Sequence, residues 1–171
     1  NYASIEKALQ EEFGIKEEAL GIIERRLVHY RRYLAENEVA KKEGLIEALE
    51  YLKEKNIPAV VCTSTEKTTA EMVLKKCGIY EYFAGYIYGD MVTRSKPDPQ
   101  GFQMAANLAG QKSSDCLVVE DSPNGVLAGK AAGGYVVYIP DCIEIPEDVL
   151  DGITAQLHNL NELIEWLEDH K

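Results

Sequence analysis

The chain has 171 residues, with 29 acidic against 18 basic side chains and a formal net charge of −11. That balance argues against nucleic acid or an anionic membrane as partner, and no apolar run approaches the roughly 18 residues of a membrane span. The length accommodates one α/β domain plus part of a second unit.

The predicted elements follow in chain order. Ser4 to Phe13 reads as a short helix, with Gly14 as its terminator. Glu17 to Glu36 reads as a longer amphipathic helix whose buried stripe is Leu20, Ile23, Leu27, Tyr30 and Leu34. Its Arg25, Arg26, Arg31 and Arg32 form the one basic cluster, expected on a solvated outer face with His29, with contact to an anionic substrate or the facing domain as the alternative. From Gly44 helix and strand alternate. Helix 45–55 leads to strand 59–62, helix 68–76 follows, and Tyr86-Ile87-Tyr88 is a short strand. Helix 100–109, strand 116–119, helix 124–132 and strand 135–139 continue the alternation, and 161–168 is a final helix. Trp166 falls in an apolar stripe with Leu163 and Leu167 and is expected to be packing. Alternation of this kind implies a mostly parallel sheet with helices on both faces. Cys62, Cys77, Cys116 and Cys142 show no C-x-x-C spacing. They read as buried reduced thiols, which fits a reducing cytoplasm.

Three segments carry chemistry. Glu120-Asp121-Ser122-Pro123-Asn124-Gly125 follows the apolar run Cys116 to Val119, so an acidic pair falls where a strand ends and a helix begins. In open α/β sheets ligands bind at the carboxyl ends of strands. Oxygen ligands of this kind suit Mg²⁺, although an acidic pair also complements a helix dipole. Thr63-Ser64-Thr65 ends a second apolar run before a helix, which makes either an anion site or a plain N-cap. Ser95-Lys96-Pro97-Asp98-Pro99 holds one lysine in a proline-restricted loop. Fixed there, Lys96 could balance phosphate and carboxylate charge; otherwise it is a surface cation. Ser122 and Asn124 either orient the acidic loop or cap the following helix.

Together these segments resemble the haloacid dehalogenase superfamily of Mg²⁺-dependent phosphotransferases, and in particular its β-phosphoglucomutase-like phosphatases and mutases. The resemblance runs from about Gly44 to Tyr138. It implies a Rossmann-like three-layer α/β/α fold, with residues 1–40 as the remainder of a helical cap and 41–171 as the core domain. It implies that Thr63, Ser64 and Lys96 bind the transferring phosphoryl group. Thr63 and Lys96 then take part in catalysis, while Glu120 and Asp121 hold Mg²⁺. The dehalogenase branch works without a metal, so the acidic pair argues against it.

The chain departs from the family in one respect. Members carry an Asp-x-Asp motif at the end of the first strand, its first Asp the nucleophile and its second the general acid/base. Residues 1–62 contain no Asp at all. In the family the strand bearing that motif lies between those ending at Thr63 and Glu120. A sheet without it exposes two edges, and each unsatisfied buried backbone group costs about 1–3 kcal/mol. The expectation is an upstream segment that supplies strand and nucleophile, with these 171 residues alone inactive. The implied function is phosphoryl transfer through an aspartyl-phosphate on a small phosphorylated metabolite such as a sugar phosphate. A hexose-phosphate mutase and a non-catalytic phosphate-binding protein are the alternatives. A monomer or weak dimer is expected of the complete protein.

Overall fold

The computed structural model describes residues 10–12, 14, 17–142 and 145–170. Most of the helix expected over 4–13 lies outside these residues. The part inside is helical at 10–12, and Gly14 donates its N–H to the Gln10 carbonyl at 3.1 Å with a φ of +67°.

Twelve elements are labelled here: α1 (Glu17–Glu36), α2 (Leu45–Glu54), β1 (Val60–Cys62), α3 (Lys67–Lys76), β2 (Gly85–Ile87), α4 (Gln100–Leu108), β3 (Leu117–Glu120), α5 (Pro123–Ala132), β4 (Tyr135–Tyr138), α6 (Glu147–Leu150), β5 (Ala155–Gln156) and α7 (Leu160–Asp169). Two single 3₁₀ turns, Tyr80–Tyr82 and Ser113–Asp115, precede β2 and β3. The sequence pattern anticipates each longer element to within about two residues. It misses α6 and β5, which are too short to show a period.

All strand pairs are parallel, as the α/β alternation requires. They form two sheets, β1–β2 and β3–β4–β5. Among the described residues, β1 pairs only with β2, and β3 only with β4. The second edge of each therefore carries no strand. Val119, apolar and third in β3, is 41% exposed.

Both faces of the larger sheet are covered, which is why β4 reads as an unbroken apolar run. Val118, Val136 and Tyr138 pack on one side with Val126 of α5, Ile145 and Phe102 of α4. Val137 and Ile139 point the other way and meet Leu163, Leu160 and Leu167 of α7. A third cluster, Leu49, Cys77 and Ile79, joins α2 to the end of α3. Burial of an aliphatic side chain contributes about 1.5–3 kcal/mol, so these interdigitated valines hold β3 and α5, and the turn between them, in place.

Helix α1 spans the expected residues, but its stripe differs. Leu34 is buried at 5% exposure, whereas Tyr30 stays 47% exposed. The Leu20 and Ile23 side chains lie outside the described residues. Arg25, Arg26, His29 and Arg32 face solvent as expected. Arg31 does not: it bonds to α3. Trp166 stacks on His170 with ring centroids 4.3 Å apart, so it packs at the end of α7 rather than in the core. Of the four free thiols Cys77 is buried, Cys62 and Cys116 are half-buried, and Cys142 is exposed, contrary to a uniformly buried set.

Candidate active site

The site is built where β1 and β3 end. Parallel strands bring their carboxyl ends to one rim of the sheet, and the chain then turns into α3 and α5. Thr63 follows β1 directly and continues its ladder, donating its N–H to the Ile87 carbonyl at 3.0 Å. Its hydroxyl oxygen accepts the Thr65 N–H at 3.1 Å. A hydroxyl that accepts keeps its one proton for donation, so Thr63 can donate to a ligand oxygen.

The start of α3 corrects an expectation. The hydroxyl cluster was read as the cap or as the mouth of a free helix N-terminus. Instead Glu66 is the N-cap, its carboxylate accepting the Thr68 and Thr69 N–H groups at 2.8 Å each. The Lys67 N–H goes to Asp90 at 3.1 Å. Three amides that could have met an anion are thus committed to carboxylates. Thr63 and Ser64 precede the cap, at the carboxyl end of β1. Gly89 lies against the same turn: a Cβ there would sit 2.0 Å from the Ser64 carbonyl oxygen.

Lys96 joins the two sheets. Its ammonium donates to the Cys62 carbonyl at 3.1 Å, at the end of β1, and pairs with the Glu120 carboxylate at the end of β3. It also sits 4.4 Å from the Phe102 ring centroid. The Lys96 and Glu120 side chains are 13% and 9% exposed. A charge pair so far removed from water is strong only when its remaining bonds are made. Here they are: Glu120 also accepts the Asp121 N–H at 3.1 Å and the Ser122 hydroxyl at 3.0 Å. The surface-cation reading of Lys96 is thereby excluded. Around it, Cys62, Thr63, Ser64, Ser95 and Gly101 line a small cavity. Burial raises the Cys62 thiol, against the opposing pull of Lys96.

The acidic loop is fixed by two further contacts. Ser122 is the N-cap of α5, accepting the Gly125 N–H at 3.1 Å while donating to Glu120. It performs both functions left open for it, whereas Asn124 is exposed. Gly125 lets the helix pass beneath Glu120; a Cβ at this position would lie 2.0 Å from the Glu120 carboxyl carbon.

Asp121 is the second carboxylate of the pair. It is half-buried, and its pKa is raised by burial first and then by Glu120, with Lys42 pulling the other way and Asp141 adding to the rise. Lys42 is itself paired with Asp141 at 3.1 Å. A partly desolvated carboxylate beside other carboxylates is favourable ground for a cation. Among the described residues no group of three or more His, Cys, Asp or Glu side chains comes together as a metal cage. One strand-end carboxylate with a supporting acid fits Mg²⁺, which uses few protein carboxylates and keeps several waters.

The residues expected at the site thus converge on one rim: Thr63, Ser64 and Lys96 around the end of β1, and Glu120 and Asp121 at the end of β3. Sequence reasoning missed Glu66, Lys42, Asp141 and the two close-approach glycines. Gly125 alone carried a signal, since a glycine in the first turn of a helix costs about 1 kcal/mol relative to alanine and needs a reason.

The chain matches known proteins in sequence and in fold. The profile of a hydrolase family, described as haloacid dehalogenase-like hydrolase, matches residues 3–133. Hexitol phosphatase A of Escherichia coli is 32% identical over 120 residues, covering 70% of this chain and 54% of that protein. The phosphorylated carbohydrates phosphatase of Thermotoga maritima is 33% identical over 112 residues, 65% of this chain and 52% of its own length. The chain therefore spans about half the length of these relatives. The crystal structure of a putative β-phosphoglucomutase from Thermotoga maritima superposes with a TM-score of 0.76 at 26% identity, covering 96% of this chain and 76% of that one. On the match of its sequence and fold, the chain belongs to the haloacid dehalogenase-like hydrolases.

Proposed function

We propose that these residues form part of a Mg²⁺-dependent phosphatase acting on a small phosphorylated metabolite of the sugar-phosphate type. The observation that carries this reading is the placement of Lys96 between the end of β1 and Glu120, beside Thr63 and Asp121. The relatives named for phosphorylated carbohydrates and hexitols support the substrate class.

In this reading Thr63 donates its hydroxyl proton, Ser64 its backbone N–H and Lys96 its ammonium protons to the non-bridging oxygens of the phosphoryl group. Positioning and charge stabilisation of this sort supply most of the catalysis in phosphoryl transfer. Asp121 holds Mg²⁺ and Glu120 supports it from within the Lys96 pair. When bound, the ion screens the repulsion between an anionic nucleophile and an anionic phosphate. By the family resemblance the nucleophile is a carboxylate on a strand lying between β1 and β3, each of which pairs with one neighbour only among the described residues. It attacks phosphorus while the second acid of the Asp-x-Asp motif that the resemblance implies gives its proton to the departing alcohol, and that same group then takes a proton from the attacking water. Water then cleaves the acyl phosphate and regenerates the carboxylate. Residues 1–40 would belong to a helical cap over this site and 41–171 to its core. The free thiols of Cys62, Cys77, Cys116 and Cys142 support a reducing cytoplasm as the place of the reaction.

The test is phosphate release from a panel of sugar, sugar-alcohol and two-carbon acid phosphates by protein expressed from its natural coding sequence. Mg²⁺-dependent turnover of a sugar or hexitol phosphate, abolished in Asp121→Ala, is expected. Isomerised sugar phosphate without free phosphate would favour a mutase. No turnover of any ester, with phosphate still bound, would leave a binding protein.

A further inference from the structure

The motifs leave one polar network unused, at the junction of α1 with α3. Thr69 is the one polar side chain among the fully buried residues described, at 1% exposure. Its hydroxyl donates to Glu66 and accepts the Arg31 Nε–H at 3.0 Å. A second Arg31 nitrogen, Nη2, donates to Glu66 at 2.7 Å. Glu66 is also the N-cap of α3 and lies three residues after Thr63. At the far end of α3, the Lys76 ammonium donates to the Leu34 and Ala35 carbonyls, the latter at 2.9 Å. These are orphan carbonyls of the last turn of α1. Helix α1 is thus tied to both ends of α3, and one tie ends on the residue that fixes the turn after Thr63. Burial raises the Glu66 carboxyl, but bonds from Thr69, Arg31 and the two amides outweigh it and hold the group at about 2. The pair is therefore charged throughout the neutral range.

We propose that Arg31, Glu66 and Thr69 are positioning residues that set where α1 sits relative to the phosphate-binding turn, and through it how the organic part of the substrate is held. This rests on the reading of α1 as part of a cap over a phosphatase site. A surface ion pair would contribute little. Here the carboxylate is shared between helix cap and guanidinium, so loss of Arg31 releases this tie, leaving the one through Lys76, without removing the cap of α3.

The experiment uses protein from the natural coding sequence, with Arg31→Met and Glu66→Gln made singly and together. Gln removes the charge and keeps one of the two capping oxygens, so Arg31→Met is the variant that leaves the cap whole. The KM for a hexitol phosphate is expected to rise about tenfold in either single variant, about 1.4 kcal/mol. Inorganic phosphate binding stays unchanged in Arg31→Met, the double variant matches the singles in KM as one coupled unit should, and Arg31→Lys recovers part of the loss. An unchanged KM, additive effects, or equal weakening for phosphate and hexitol phosphate would overturn the proposal. A second arm measures hydrogen exchange of the amides of residues 24–36, expected to speed about tenfold in Arg31→Met. Unchanged exchange overturns the proposal as well. This arm holds even if the wild-type protein turns over no phosphate ester, a result that would sink the phosphatase reading alone.

Discussion

At the scale of single residues, adjacent acids do different work. Glu120 is bound into its loop and to Lys96, whereas Asp121 keeps its carboxylate at the rim. The adjacency was legible in the sequence; the division of labour was not, because it depends on Lys96 arriving from 24 residues away. The raised Asp121 pKa has a consequence for stability. A carboxyl whose folded pKa lies above its unfolded value favours the fold while protonated, and that contribution is lost as pH rises through the folded value. At neutral pH the Asp121 charge thus works against folding. Asp121→Asn is predicted to raise the thermal midpoint at pH 7 in the presence of a chelator, and to match wild type near pH 3. A lower midpoint at pH 7 would show that the charge is already compensated within the protein.

At the scale of elements, boundaries were readable because caps and periods agree with the packing. Helix α5 begins at Pro123 behind the Ser122 cap, as a proline in the first turn and a serine before it lead one to expect. Helix α3 shows the limit of such reading. Three hydroxyls stood where a cap was expected, yet Glu66 took the position, since its longer side chain reaches two amides and Arg31 together. The α1 stripe was half right because one helix face cannot reveal which neighbour covers it. The turn from β3 into α5 yields a sharper prediction. Gly125→Ala places a methyl group inside the Glu120 carboxylate, and the helix is packed by the fully buried Val126 and cannot retreat. Overpacking of this kind costs about 1–3 kcal/mol. The variant is expected to lower the urea midpoint accordingly and to lose phosphate binding, whereas Asn124→Ala, on the exposed side of the same turn, does neither. Phosphate binding retained in Gly125→Ala would mean that Glu120 is free to move.

At the scale of the whole molecule, the alternation of apolar runs and amphipathic helices fixed the fold class. It could not show that the five parallel strands of the described residues fall into two sheets, because pairing between strands leaves no local periodicity. The side chain of Lys96 bridges the two sheets. Lys96 takes the Cys62 carbonyl from one and Glu120 from the other, so three segments spread from Thr63 to Asp121 become a single site only if that bridge exists. The most direct measurement is a titration of orthovanadate, a phosphoryl mimic, into protein from the natural coding sequence with and without Mg²⁺, for wild type and Lys96→Ala. The account predicts Mg²⁺-dependent binding in the wild type, weakened about 10- to 100-fold in the variant, as expected for loss of one charge-assisted hydrogen bond of about 1.5–3 kcal/mol. Equal affinity in the two proteins, or binding indifferent to Mg²⁺, would contradict it.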